Sequence, residues 1–239
     1  MPTNGWRSTT WTSARQPPKA PAMLQSTSRL AIKICGLSTP DTVGAAMRGG
    51  ATHLGFVHFP KSPRHVEADQ LRALAAPVPA HIERVAVLVD PSDEILTELS
   101  ATQALTALQL HGKESPERAA AIRQRFTIPV WKAISVKTRA DIDAAKAYNG
   151  AADFLLFDAK TPEGAALPGG MGLRFDWTLL RGAPLSTPWG LSGGLGIDNV
   201  AEAIRITGAP LVDVSSGVES APGIKSVDKI MAFCNAASS

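Results

Sequence analysis

The sequence predicts an α/β protein, a single (β/α)8 TIM barrel behind a disordered N-terminal extension. Three observations carry this reading. Short, β-branched apolar runs alternate eight times with stretches of helical character, which is the signature of parallel strands joined by helical crossovers. The length, 239 residues, matches the roughly 250 of one such barrel. The first strand runs into KICGLSTP, without the GxGxxG that announces a nucleotide in an open, doubly wound sheet.

Residues 1–29 read as the extension. They are rich in Ser, Thr, Pro and Arg, lack a periodic apolar face and include QPPKAPA. An Arg-rich, acid-free start also resembles an organelle transit segment; the blander readings are a flexible tail or a true start at Met23. Residues 30–239 form the expected catalytic domain. Strands are expected at 30–35, 53–59, 84–89, 106–110, 130–135, 153–157, 189–192 and 211–214. Helices are expected at 40–49, 67–75, 92–101, 116–125, 138–147, 175–181, 198–207 and 225–235, with start signals such as Ser115-Pro116 and Asp198-Asn199.

Composition narrows the class. Hydrophobic residues make up 44% of the chain, enough for one large core. The net charge of +3 comes from the extension, where Arg7, Arg15, Lys19 and Arg29 meet no acid; the remainder holds 20 basic against 21 acidic groups. That excludes a nucleic-acid face. No apolar run approaches the roughly 20 residues that span a bilayer. Two cysteines, Cys35 and Cys234, are too few for a disulfide framework and suit a reducing, cytoplasmic setting. No His, Asp, Glu or Cys cluster has metal-ligand spacing along the chain, so no metal is expected.

In a barrel, chemistry collects beyond the C-terminal strand ends. The polar groups there form one set: Lys33 and Cys35, Ser62 and Arg64, Asp90, His111, Lys132 and Ser135, Asp158 and Lys160, Gly193 and Gly194, then Asp213, Ser215, Ser216 and Gly217. The clearest ligand signal is LSGG and DVSSG in the seventh and eighth loops. Their glycines permit close approach of backbone N–H groups to an anion, and helices starting near 198 and 225 would add positive dipole ends. A phosphorylated small molecule is the expected ligand.

Cys35 reads either as a packed thiol or as a base whose thiolate is favoured by Lys33, two residues back on the same strand face. Asp158, delivered by the apolar run FLLF, is either a proton donor kept neutral by apolar surroundings or a carboxylate held ionised by Lys160. Arg64 in PKSPRHV offers a fork for a carboxylate or phosphate, or a surface salt bridge. His111 is either catalytic or a support for the fourth loop, and His65 is equally open. His53, His58 and Cys234 read as structural.

These same residues carry a resemblance to the phosphoribosylanthranilate isomerase family of tryptophan biosynthesis, over about residues 31–236. The matching segments are KICGLSTPD, GFVHFPKSPRHV, LQLHG, LLFDAKTP, PGGMGLRFDW, LSGGL and VDVSSGVESAPGIKS. The resemblance implies an Amadori rearrangement without metal or organic cofactor. It implies Cys35 as general base, Asp158 as general acid, Arg64 as receiver of the anthranilate end, and Gly193, Gly194, Ser215, Ser216 and Gly217 as the phosphate cradle; Lys33 and His111 would support them. Two positions depart from the family: Met171, where a smaller residue is usual, and His58, where an aromatic such as Phe is common. Other phosphosugar enzymes of the same fold, or a catalytically silent phosphate sensor, are the competing readings. A monomer is the default expectation, with a helix-face dimer as the alternative.

Overall fold

Eight parallel strands close on themselves in chain order in the computed structural model, which describes residues 30–161 and 169–239. The expected extension, residues 1–29, lies outside the described residues. So does 162–168, which takes in the ends of LLFDAKTP and PGGMG. The strands are β1 (Ala31–Cys35), β2 (His53–Val57), β3 (Glu83–Leu88), β4 (Ala107–Leu110), β5 (Val130–Val136), β6 (Phe154–Ala159), β7 (Trp189–Leu191) and β8 (Leu211–Val214). Each falls on an expected run. β1 closes the barrel by pairing with both β2 and β8, setting Cys35 beside Gly55 and Lys33 beside Asp213.

The helices between them begin where the sequence supplies a cap. They are α1 (Pro40–Arg48), α2 (Ala68–Ala75), α3 (Asp93–Ala101), α4 (Pro116–Phe126), α5 (Arg139–Ala144), α6 (Val200–Thr207) and α7 (Val227–Ser238). Thr39, Ser92, Ser115 and Ser226 each accept a backbone N–H of the first turn, satisfying a donor that the helix leaves orphaned. None of these helices is long and apolar enough to cross a membrane.

Two expectations need correction. The helix expected at 175–181 is a single 3-10 turn, Trp177–Leu180, capped by Asp176 and anchored by buried Trp177 and Leu180. Four residues suffice to cover the barrel there because both large side chains point inward. The segment after β8 reaches the helix expected near 225 by an indirect route. It makes a 3-10 turn (Ser216–Val218) and then a small antiparallel hairpin, β9 (Glu219–Ala221) with β10 (Ile224–Lys225), turning at Pro222-Gly223. α7 begins directly after it, at Val227, close to the expected start, but its first turn does not border the cavity as expected.

The period-2 alternation of each strand sorts its side chains. Outward residues such as Ile32, Ile34, Leu54, Phe56, Leu108 and Leu110 pack against the helices in one continuous core. Inward residues form rungs. The lower rung is an apolar cluster of Ala31, Val85, Ala107, Trp131, Phe154, Leu156 and Leu211. The rung above it is polar, and it supports the site.

Candidate active site

Above the polar rung lies a cavity of about 800 Å3, counting its open mouth, lined by groups at the C-terminal ends of β1, β2, β3, β4, β6, β7 and β8 and the loops that follow several of them. Cys35, Arg64, His111, Asp158, Gly193, Gly194, Ser215 and Ser216 all border it, as do Gln109, Ser192 and Asp213. Gly217 borders the adjoining groove, with Arg64, Gly194 and Ser216.

Cys35 sits at the end of β1, 6% exposed. Lys33, beneath it and fully buried, donates to Asp213 Oδ1 at 2.9 Å, and Ser192 donates to the other oxygen of Asp213 at 3.2 Å. Burial alone would pull the Lys33 ammonium down, but Asp213 and Cys35 carry it above its ordinary value. Gly55 makes the room: a Cβ there would stand 3.0 Å from Cys35 Sγ and 3.1 Å from Lys33 Nζ. Burial pushes the Cys35 thiol up, with the Asp213 charge adding to it, while Lys33 and Lys225 oppose them. Desolvation thus outweighs the cations.

Asp158 is the penultimate residue of β6 and is 6% exposed. Its Oδ1 accepts the N–H of Ala159 at 2.8 Å, and its Oδ2 lies 3.2 Å from His111 Nε2. Lys160, the alternative partner, is exposed and makes no such contact. On the far side of the imidazole, the amide nitrogen of Gln109 lies 3.0 Å from Nδ1. Because Gln109 donates there, Nδ1 accepts and Nε2 carries the hydrogen that faces Asp158. His111 thus reaches the acid instead of bracing its own loop. The fourth loop is braced from outside: Lys132 bonds Glu114 at 2.9 Å and the Gly112 carbonyl at 2.8 Å, Glu114 accepts the N–H of Asp90, and Asp90 accepts the N–H of Lys113.

Arg64 is buried. Its Nε and Nη2 grip Glu219 bidentately at 2.7 and 2.8 Å, and Nη2 also donates to the Gly170 carbonyl at 3.1 Å. Lys225 meets the same carboxylate at 2.5 Å and also donates to the Ser215 carbonyl and hydroxyl at 3.1 and 3.2 Å. Burial would raise the Glu219 carboxyl, yet the hydrogen bonds from Arg64 and Lys225 hold it below its usual value. The fork is thus fixed along one edge by an internal acid, and Nη1 has no hydrogen-bond partner among the described residues. Neither the cavity-facing ligand role nor the surface bridge expected for Arg64 included this clamp.

In the seventh and eighth loops, the N–H groups of Gly193, Gly194, Ser216 and Gly217 have no acceptor among the described residues, the donor arrangement an anion requires. Gly193 takes φ +89°, and a Cβ there would stand 2.8 Å from Asp158 Oδ1. Its bareness therefore serves the acid as well as the loop. Asn199 does not cap α6 with its side chain. It turns back to accept from Gly196 N and donate to the Gly194 carbonyl, both at 2.9 Å, holding the loop open.

Of the strand-end polar set, Asp90, Lys132, Ser135 and Lys160 lie away from the cavity; Ser62 borders it. The two family departures are also placed. Met171 stands at the mouth, 49% exposed, where it alters the rim and not the packing. His58 does not enter the barrel: its Nδ1 bonds the Val66 carbonyl at 2.9 Å. Sequence reasoning passed over Gln109, Glu219 and Lys225. The first two lay inside the quoted motifs LQLHG and VESAPGIKS, with Lys225, but nothing local distinguishes them as partners.

The family model for N-(5'phosphoribosyl)anthranilate (PRA) isomerase matches residues 32–236. An N-(5'-phosphoribosyl)anthranilate isomerase of Zymomonas mobilis subsp. pomaceae is 52% identical over 205 residues, 85% of this chain and 96% of its own. Monomers generated from the dimeric phosphoribosylanthranilate isomerase of Thermotoga maritima match with a TM-score of 0.75 at 34% identity, over 87% of this chain and 98% of theirs. A phosphoribosyl anthranilate isomerase in complex with reduced 1-(o-carboxyphenylamino)-1-deoxyribulose 5-phosphate matches with a TM-score of 0.76 at 32% identity, over the same shares. With the family model spanning nearly the whole described barrel and a relative this similar, the chain belongs to the N-(5'-phosphoribosyl)anthranilate isomerase family.

Proposed function

We infer that this protein is an isomerase of tryptophan biosynthesis. It converts N-(5-phosphoribosyl)anthranilate to 1-(2-carboxyphenylamino)-1-deoxyribulose 5-phosphate, the third pathway-specific step from chorismate. The observation that carries the reading is the placement of Cys35 and Asp158 on different strands of one cavity, which the bare N–H donors of the seventh and eighth loops and Arg64 also border.

The residues divide the work as follows. The donors of Gly193, Gly194, Ser215, Ser216 and Gly217 take the phosphate, whose remote binding energy orients the sugar. Arg64, through Nη1, takes the anthranilate carboxylate. Asp158 gives its proton to the furanose oxygen; the C1–O bond breaks and the nitrogen lone pair forms a cationic C=N bond. The carboxylate left behind is met by the Ala159 N–H and His111 Nε2–H. Cys35 as thiolate then takes the C2 proton, now acidified by the adjacent cation, and the C–H electrons form an enolamine that tautomerises to the ketose. A thiol pushed up by burial is, once ionised, a stronger base toward carbon, and Lys33, Lys225 and the substrate cation supply the opposing charge. No step calls for a cofactor.

Every group assigned comes from residues 30–239 of one chain, which we take as the catalytic domain and as a working monomer in the cytoplasm. The test is turnover of freshly generated phosphoribosylanthranilate, followed by loss of its fluorescence. Cys35→Ser and Asp158→Asn are each expected to lower kcat by about 10^2–10^4, the range general acid–base groups contribute, while still binding a reduced product analogue. A folded parent without turnover, or variants that keep it, would overturn the assignment.

A further inference from the structure

We propose that the turn between β2 and α2 holds a second, non-catalytic site: a site for one divalent transition-metal ion of borderline softness, Zn2+ being the type, ligated by His58, His65 and Glu67. Spacing along the chain did not suggest it, since six residues separate the histidines. The fold removes that distance. Val57 bridges to His65 as a short parallel pair, and Val66 N donates to the Val57 carbonyl at 2.8 Å, so the chain returns alongside the end of its own strand. The two imidazoles then lie side by side, tilted by 54° with ring centres 5.0 Å apart, and one ligand atom from each of His58, His65 and Glu67 falls within 4.8 Å of the others.

Two further observations point to an ion. His58 Nδ1 donates to the Val66 carbonyl at 2.9 Å, which places the hydrogen on Nδ1 and leaves a lone pair on Nε2, the outer-shell arrangement that orients ligating histidines. Both ring nitrogens of His65 are buried without an aligned hydrogen-bond partner among the described residues, although Nε2 stands 3.0 Å from Glu67 Oε1. His65 Nδ1 is thus a buried polar atom with no partner among the described residues, beside a carboxylate already paired with Nε2, and a cation would satisfy it. Two imidazoles and one carboxylate suit Zn2+, Co2+ or Ni2+ and not Mg2+ or Ca2+, which take oxygen ligands. Glu67, with a side chain 76% exposed, leaves the remaining positions to water. The ion would clamp the end of β2 to the N-cap of α2, on either side of the turn that carries Arg64, and would take no part in the isomerisation.

The test uses the full chain, free of affinity tags and stripped of metal, titrated with Co2+ and Zn2+ by calorimetry and visible absorption. One equivalent is expected, with a Co2+ ligand-field spectrum lacking a sulfur-to-metal band and a rise in Tm on binding. His58→Phe and Glu67→Gln should each weaken binding at least tenfold; losing even an outer-shell partner costs about 10–100-fold. His81→Gln, at an exposed histidine elsewhere, should leave it unchanged. Glu67 is exposed enough that its variant folds whatever His58→Phe does. Binding no tighter than millimolar, a sulfur-to-metal band assigning the ion to a cysteine, or affinity unchanged in Glu67→Gln would overturn the site.

Discussion

Two neighbouring rungs of the barrel interior are equally buried and built on opposite principles. In the lower one, Trp131 stacks on Phe154 with ring centres 4.3 Å apart, among Ala31, Val85, Ala107 and Leu211. In the upper one, Lys33, Gln109 and Asp213 are 0, 0 and 4% exposed. The lower rung gains free energy from apolar burial. The upper rung takes charges out of water and recovers that cost only through close pairing, so it does little for stability that apolar residues would not do as well. What it supplies is a rigid polar floor under Cys35 and Asp158. Closure and chemistry are thus carried by side chains two residues apart on the same strands.

The largest effects should separate the rungs. Trp131→Ala removes a 1%-exposed ring and is expected to cost about 3–5 kcal/mol of stability, with kcat of the folded enzyme little changed. Asp213→Ala leaves Lys33 buried without its partner, which is expected to cost a similar 3–5 kcal/mol and also to lower kcat, because the ammonium beside Cys35 loses its anchor. Urea unfolding paired with turnover at a temperature where both variants are folded decides this. If Asp213→Ala kept full kcat, the upper rung would be structural after all.

A smaller effect belongs to the boundary between the rungs. His53 packs 5.3 Å from Trp131, and burial together with the Lys33 charge lowers its pKa to about 3. Above the unfolded value near 6.5 both states are neutral there and the group contributes nothing to pH dependence. As pH falls below 6.5 the unfolded chain takes a proton that the folded protein refuses, so stability declines by about 1.4 kcal/mol per pH unit from this group, until the folded ring also titrates near 3. Between pH 6.5 and 5 the parent should lose about 2 kcal/mol more than His53→Gln does. Parallel stability curves for the two proteins would show that His53 is not the responsible group.

The two rungs were unequally legible in the sequence. Strand positions, the barrel and the site's corners were all readable, because each rests on a local pattern: an apolar run, a glycine pair, or Cys35, Arg64 and Asp158 just past a strand. The residues that complete the site are partnered across the fold. Arg64 and Glu219 are 155 positions apart, and Lys33 and Asp213 are 180 apart. No local signal marks Glu219 in VESAPGIKS as the clamp of an arginine in the second loop. The same holds for the 3-10 turn at Trp177–Leu180, where apolar periodicity suggested a longer helix and two deep anchors proved sufficient. His58 and His65 read as isolated because spacing along the chain says little about a segment that doubles back beside its own strand.

The finest test of the comparison lies in Gln109, an upper-rung residue that touches no reacting atom. Its amide donates to His111 Nδ1 and so keeps the imidazole hydrogen on Nε2, facing Asp158. Its carbonyl oxygen has no partner among the described residues, so one buried polar atom is left unsatisfied while the tautomer is held. Gln109→Leu relieves that orphan but takes the partner from His111 Nδ1, so stability should change little. The imidazole, however, is then free to move its hydrogen to Nδ1, and a lone pair on Nε2 would face the carboxylate that Asp158 becomes after giving up its proton. A hydrogen bond to a charged group contributes about 1.5–3 kcal/mol, and with the two tautomers sharing the population the expected loss is about tenfold in kcat, or 1.4 kcal/mol. KM should stay near its parent value, since neither the phosphate loops nor Arg64 is touched. Nitrogen-15 NMR of His111 would show the hydrogen redistributed onto Nδ1. A variant with unchanged kcat and the parent tautomer would mean that Asp158 alone orients the imidazole and that the polar rung ends at Lys33 and Asp213.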